Sequence, residues 1–362
     1  MQLNGAAIPA SLTPTGILRW FHPVLPAGSL RDAPVPIRLD GSGYVLWRDS
    51  AGAARGLLDR CAHRFAPLSR GRVRADGRLA CPYHGWHYDG AGTGCSPSSP
   101  EFAKCRVQSL SVVERHGYIW VAGPGVPEER MPALAWDGWQ AAGDTRVPFP
   151  APLHVALDNF SEDEHTPWVH GLLGWTEEQA SQVEFEHEAL DDSLRVQYRG
   201  PQRPHRWLPL LGVKPGDTFQ NDWVTRYDPV WTSYTLRWFE AGTGKPRPLA
   251  TRFSIFMVPE DERTTTFHTF LHVQIAPGFF SAFAPLVKAV ALRLGHHEIA
   301  FDGRFIRTVA DTPFSWSGMR LGKFDRPLIH NHKMLERIYW GRRYRQEGAG
   351  ADEGQDDSRT GA

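Results

Sequence analysis

Cys61-Ala62-His63-Arg64 and Cys81-Pro82-Tyr83-His84-Gly85-Trp86 set two pairs of soft ligands in the first quarter of the chain, with the seventeen residues 64–80 between them. Each pair places one thiolate and one imidazole on a short loop, and two such loops can clasp a two-iron, two-sulfur cluster from opposite sides. Tetrahedral zinc accepts the same four donors, but zinc fingers normally pair Cys with Cys and His with His along the chain. Electron transfer is the chemistry this spacing favours.

A second group of donors runs Asp158-Asn159-Phe160-Ser161-Glu162-Asp163-Glu164-His165-Thr166-Pro167-Trp168-Val169-His170. Two imidazoles five residues apart, preceded by a dense acidic cluster, suit half of a 2-His-1-carboxylate facial triad. Such a triad binds Fe(II) on one face and leaves positions open for oxygen chemistry. The alternative use of the same acids is a hydrated helix start.

In order, spacing and flanking residues, C-x-H-R, the seventeen-residue gap and C-P-Y-H-G-W resemble the cluster loops of the Rieske family. With N-x2-acid-x2-H-x4-H downstream, the chain resembles the oxygenase component, the α-subunit, of the Rieske non-haem iron oxygenases over roughly residues 17–340. Its length is closest to the homotrimeric monooxygenases and O-demethylases of the vanillate O-demethylase-like group. The resemblance implies an α+β chain: a small antiparallel β Rieske [2Fe-2S] domain, then a helix-grip (START-like) catalytic domain with a twisted antiparallel sheet.

It also implies cofactors and ligands. Cys61, His63, Cys81 and His84 would hold the [2Fe-2S] cluster, in which two Cys bind one iron and two His the other. His165 and His170 would bind a mononuclear Fe(II), with Asn159 beside the iron. The third ligand would be a carboxylate in His296-His297-Glu298-Ile299-Ala300-Phe301-Asp302; Asp302 matches the family's position, and Glu298 is its rival.

An acid just before the first His would link the two metal centres. In the family this residue is usually Asp, and here the chain departs from the pattern. Three residues before His165 stands Glu162, whereas the nearest aspartate, Asp163, is two before it. Residues three apart share a helix face and residues two apart do not, which favours Glu162 and leaves Asp163 as the alternative.

These sites need elements to hold them. Between residues 20 and 125, β-like runs such as Tyr44-Val45-Leu46-Trp47 and Tyr118-Ile119-Trp120-Val121 read as a small antiparallel domain. A Pro- and Gly-rich stretch from Gly123 to Pro132 marks a boundary. We divide the chain into residues 1–145 with the cluster, 146–345 with the mononuclear iron, and a Gly-, Ala- and Asp-rich tail, 346–362, expected to be disordered. In the second part, 222–228, 231–239, 252–258 and 264–275 read as strands. On the last, Phe267, Leu271, Val273 and Ile275 face a core, while His268, Phe270, His272 and Gln274 face either a cavity or solvent. The stretch 279–294, interrupted by Pro285 and Lys288, reads as a helix packed on one face.

The 362 residues carry 40 basic and 40 acidic side chains, which gives no reason to expect a nucleic-acid or anionic-membrane partner. Neither a signal peptide nor a run of eighteen apolar residues is legible, so the cytoplasm is the default address. Cys95 and Cys105 read as thiols outside any disulfide, as in a reducing compartment. With no nicotinamide or flavin fingerprint, electrons are expected from a separate NAD(P)H-dependent reductase or a ferredoxin, and Arg70, Arg72, Arg74 and Arg78 either attract it or form a plain charged loop. The expected reaction is O2-dependent hydroxylation or O-demethylation of an aromatic or polycyclic small molecule. Alternatives are a ring cis-dihydroxylating dioxygenase and, from another class, a Rieske electron carrier or sensor with a non-catalytic ligand-binding domain.

Overall fold

The computed structural model describes residues 16–99 and 105–341. The N-terminal stretch read for a signal peptide and the tail 346–362 lie outside the described residues.

Three small antiparallel sheets carry the cluster loops. One joins His22–Pro26, Tyr118–Ala122 and Ser111–Arg115, and a second joins Val35–Leu39, Ser42–Arg48 and Ala54–Leu58. The third is built of very short strands, from Arg72–Val73 to Cys105–Arg106. A compact core of Val45, Trp47, Leu57, Leu68, Leu79 and Tyr88 closes around Cys61 and Cys81. The Trp47 indole N–H is satisfied by the Gly77 carbonyl at 3.0 Å, so a large polar-tipped ring is buried without an orphaned donor.

The rest is dominated by a seven-stranded antiparallel sheet in the order Gln140–Phe149, Thr264–Ile275, Pro246–Asp261, Val230–Phe239, Thr218–Tyr227, Ser193–Pro201, Glu184–Ala189. Six strands form a meander and the first returns to pair with the last in sequence. Helix Ala284–Ile306 lies across one face. A Cβ at Gly295 would collide with the Phe253 ring, so the helix approaches the sheet as closely as it does because this position has no side chain.

The structure corrects several expectations. The strand Thr264–Ile275 has the expected bounds, but on its second face only Gln274 meets solvent, and the rest is covered by other side chains rather than lining a cavity. His268 and His272 are buried, and Phe270 stacks on Trp120 and meets Tyr118 and Trp136 at ring distances of 4.8–6.1 Å. Aromatic residues from the preceding small sheet and linker cover that face, which alternation along a single strand cannot reveal. The strands expected at 222–228 and 252–258 run longer, Thr218–Tyr227 and Pro246–Asp261, because polar positions such as Asn221 pair with both neighbouring strands. The seven-stranded sheet begins at Gln140, so the division at 145/146 falls inside its first strand. The helix expected over 279–294 is interrupted at Phe283 and continues to Ile306. Among the described residues no helix is long and apolar enough to cross a membrane.

Candidate active site

The two cluster loops repeat one hydrogen-bond pattern. Cys61 N–H donates to Ala66 O at 2.9 Å and Cys81 N–H to Trp86 O at 2.7 Å; Phe65 N–H donates back to Cys61 O and Gly85 N–H to Cys81 O. The closing residue of each loop has positive φ, 63° at Phe65 and 71° at Gly85. Glycine takes that conformation freely, whereas Phe65 takes it at a steric cost, with its exposed ring covered by the Arg60 guanidinium.

This shared geometry sorts the four donors. Cys61 and Cys81 are buried and their thiols touch; burial, then the neighbouring Cys61 thiol, pushes the Cys81 thiol up. His63 and His84 are exposed, with ring centroids 4.7 Å apart, and His63 stacks on Trp86. Desolvation, then His63 and Arg64, keeps His84 below its ordinary value, which favours the neutral ring that ligation needs. Two thiols meeting inside and two imidazoles meeting outside fit a cluster with Cys on one iron and His on the other. The Tyr88 hydroxyl lies 3.2 Å from Cys61 Sγ and accepts from Ala62 N–H. None of the four cysteines is in a disulfide.

The second donor set forms around a single helical turn. Pro167 occupies the first turn of Thr166–Val169, where its missing N–H is harmless; His165 caps the start, and His170, with extended backbone, leaves the end. The two rings therefore turn toward each other, with Nε2 atoms 3.1 Å apart. Asp302, from helix Ala284–Ile306, places Oδ1 3.5 Å from His165 Nε2 and 3.4 Å from His170 Nε2. That oxygen is buried and has no hydrogen-bond partner within the fold. Three donors from two elements, all within 4.8 Å of one another, with a buried orphaned carboxylate oxygen between the imidazoles, fit a 2-His-1-carboxylate metal.

The other acids occupy distinct places. Glu162 contacts His165 Nδ1 with one oxygen, and with the other accepts the His165 backbone N–H at 3.2 Å. Against burial of the ring, the Glu162 carboxylate and then Asp302 and Asp163 lift the metal-free His165 imidazole to about 9. Asp163 turns away and accepts from the Thr166 hydroxyl at 3.3 Å; burial, offset in part by His165, pushes its carboxyl up to about 7. Glu298 stands 3.4 Å from His170 Nδ1, on the side of that ring away from Asp302, and so does not converge with the other three donors. Burial raises the Asp302 carboxyl, offset in part by His170, then His165 and the Asn159 side chain, whose amide nitrogen has no hydrogen-bond partner within the fold.

These groups border a cavity of about 130 Å³ walled by Phe160, Phe219, Trp223, Tyr234, Phe253 and Ile255. The Tyr234 hydroxyl is tied to the Phe160 carbonyl, which links the sheet to the turn carrying the acids. Sequence reasoning missed Tyr198, Asn221 and Tyr234 as lining residues. Their one available signal was the inward alternation along three strands whose pairing register is invisible in a single sequence.

Residues 20–110 match the family description Rieske [2Fe-2S] domain. The chain as a whole shares the fold of the dicamba monooxygenase crystal structures, and its two donor sets suit a [2Fe-2S] cluster and a His/His/Asp metal site. It is similar to the crystal structure of dicamba monooxygenase bound to 3,6-dichlorosalicylic acid, with a TM-score of 0.73 at 20% identity, covering 90% of this chain and 98% of that one. In sequence it is similar to chlorophyllide a oxygenase of Chlamydomonas reinhardtii, 35% identical over 156 residues, 42% of this chain and 24% of that protein. It is also similar to the oxygenase component of dicamba O-demethylase of Stenotrophomonas maltophilia, 38% identical over 116 residues, 30% of this chain and 32% of that protein. The chain thus spans about a quarter to a third of the length of these curated relatives.

Proposed function

We propose that this protein is the oxygenase component of a multicomponent Rieske non-haem iron oxygenase, acting in the cytoplasm. With O2 and electrons from a separate NAD(P)H-dependent reductase or ferredoxin, it hydroxylates or O-demethylates an aromatic small molecule. One observation carries the reading: His165, His170 and Asp302 converge at the edge of an aromatic cavity in the chain that holds the Cys61/His63/Cys81/His84 loops. The monooxygenase and O-demethylase activities in the names of similar proteins support it.

Cys61, Cys81, His63 and His84 would hold the cluster, and His165, His170 and Asp302 the iron; bound there, these groups supply one-electron transfer and O2 activation. The protein supplies positioning. Glu162 fixes the His165 ring through Nδ1, which selects the tautomer that leaves Nε2 as the donor, and Glu298 lies at the corresponding side of His170. Glu162 rather than Asp163 is our candidate for the acid between the metal centres, since only Glu162 reaches a ligand ring. Phe160, Trp223 and Phe253 line the cavity and offer flat apolar faces to a ring beside the donors. The exposed loop of Arg72 and Arg74 beside the cluster suits an acidic electron donor, and the homotrimer of the vanillate O-demethylase-like group is the assembly we assign.

The test is turnover with a surrogate reductase against methoxy-aromatics, steroids, alkaloids and arenes, with products weighed by mass spectrometry. One oxygen atom gained, or a methyl lost as formaldehyde, supports the reading. A cis-diol makes the protein a ring dioxygenase, and cluster reduction without oxygen uptake on any substrate makes it a carrier.

A further inference from the structure

The cavity beside His165, His170 and Asp302 is chemically uneven. Four carboxyl side chains border it, Glu162, Asp163, Glu298 and Asp302, and among the described residues no Lys or Arg lines it. The nearby guanidinium that feels the charge of Glu298 is Arg203, which donates to the carbonyls of Pro167 and Trp175. A divalent ion held by the two imidazoles and Asp302 would offset only two negative charges. A carboxylate substrate would therefore enter a site of like charge and lose its water without gaining a cation.

The sheet side of the cavity is polar in a different way. Trp223 Nε1, Tyr198 Oη and Asn221 Oδ1 have no hydrogen-bond partner within the fold, although Trp223 is 3% and Tyr198 2% exposed. Tyr198 and Asn221 are direct partners on adjacent strands, and Trp223 is two residues beyond Asn221 on the same inward row; cross-strand side chains so placed are neighbours. All three residues line the cavity. Unsatisfied buried polar atoms are rare and call for an explanation. An indole N–H only donates, a phenol donates or accepts, and an amide does both, so a neutral oxygen with a nearby N–H or O–H answers the set.

Size sets a further limit. The cavity measures about 130 Å³, and an apolar cavity of about 150 Å³ holds one benzene ring.

We infer that the substrate is a neutral, single-ring aromatic carrying a hydrogen-bonding carbonyl, amide or hydroxyl group, which Tyr198, Asn221 and Trp223 bind while the aromatic walls hold the ring, and that carboxylate analogues are excluded. This rests on the oxygenase reading only in taking the cavity as the substrate site. It narrows the aromatic or polycyclic class to one ring, and it makes Tyr198, Asn221 and Trp223 the specificity-determining residues.

Titration calorimetry on the full chain, loaded with both metals and without reductant, tests binding apart from turnover. 4-Methoxybenzamide should bind about ten-fold or more tightly than either 4-methoxybenzoate or 4-methylanisole, and more tightly than 6-methoxy-2-naphthamide. Asn221→Leu should bring the amide down to the affinity of 4-methylanisole. Tyr198→Phe, which removes one hydroxyl and keeps the ring, should weaken the amide by about three- to ten-fold with 4-methylanisole unchanged. Benzoate binding as tightly as the amide, no preference for the amide over 4-methylanisole, a tighter naphthamide, or no binding of the amide would each overturn the inference. Selective amide binding with no oxygenated product from any substrate would leave it standing and overturn the oxygenase reading instead.

Discussion

Glu162 and His165 meet on the Nδ1 side of the imidazole, while Nε2 faces Asp302 at 3.5 Å. The same carboxylate also accepts the His165 backbone N–H, so one side chain fixes both the loop and the ring. Carboxylates in this position orient a ligating His and raise its basicity, and their loss typically costs about 10- to 100-fold in metal affinity or activity. Asp163, one residue on, reaches Thr166 instead.

Glu162→Ala should therefore keep the cluster signal and lower single-turnover oxidation by about 10- to 100-fold, whereas Asp163→Asn should lose less. Rapid-mixing kinetics of cluster reoxidation, with iron content measured in parallel, reads both. Normal turnover of Glu162→Ala beside a dead Asp163→Asn would place the bridging acid one residue later.

At the cluster, His63 and His84 are the exposed pair and Cys61 and Cys81 the buried pair. His84→Ala should abolish the Rieske EPR signature while the protein stays folded, since the core around Tyr88 and Trp47 does not depend on an exposed ring. A Rieske signal that survives would remove His84 from the ligand set.

Metal binding at the second site should depend on pH in a definite direction. Because the metal-free His165 ring titrates at about 9, below that pH a metal must displace a proton, and affinity should climb by up to about ten-fold per unit as pH rises toward 9. Glu162→Gln removes the leading cause of the raised value, so its affinity should level off at lower pH. Cobalt(II) titrated into iron-free protein between pH 6 and 9 checks this; a profile flat above pH 6 would contradict it.

Phe270 joins the seven-stranded sheet to Tyr118, Trp120 and Trp136. Phe270→Ala should cost about 3–5 kcal/mol through transfer and cavity formation. Leu286→Ala, at a side chain 62% exposed, should stay within about 0.5 kcal/mol. Thermal unfolding followed by circular dichroism compares them, and equal shifts would show that the buried face is not a stabilising contact.

If Arg72 and Arg74 steer an acidic reductase, the second-order rate of cluster reduction should fall as ionic strength rises, because exposed charges are screened beyond about 8–10 Å at physiological salt. Arg74 already pairs with Asp76 at 3.3 Å, so Arg72→Glu should act more strongly than Arg74→Glu. A rate constant unchanged across the salt series would end the steering proposal.

The cluster loops were legible in the sequence because the two donors of each loop lie within four residues of each other and the short-range pattern is nearly the whole site. The bounds of Thr264–Ile275 were legible for a similar reason, a long run of β-formers. What covers His268, Phe270 and His272 was not, since alternation reports two faces and not their neighbours. Asp302 and Glu298 differ by one helical turn, so the sequence favoured Asp302 only through the resemblance and kept Glu298 as its rival; the fold directs Asp302 between the two Nε2 atoms and Glu298 behind His170. Tyr198, Asn221 and Trp223 come together only through strand register, which no local pattern carries.

Anaerobic metal and sulfide analysis with EPR of the reduced protein tests the two-centre account most directly. The account predicts about three irons and two acid-labile sulfides per chain, a Rieske signal lost in His84→Ala, and one iron lost selectively in Asp302→Ala. Protein that contains zinc without sulfide, or that keeps all its iron in Asp302→Ala, would contradict it.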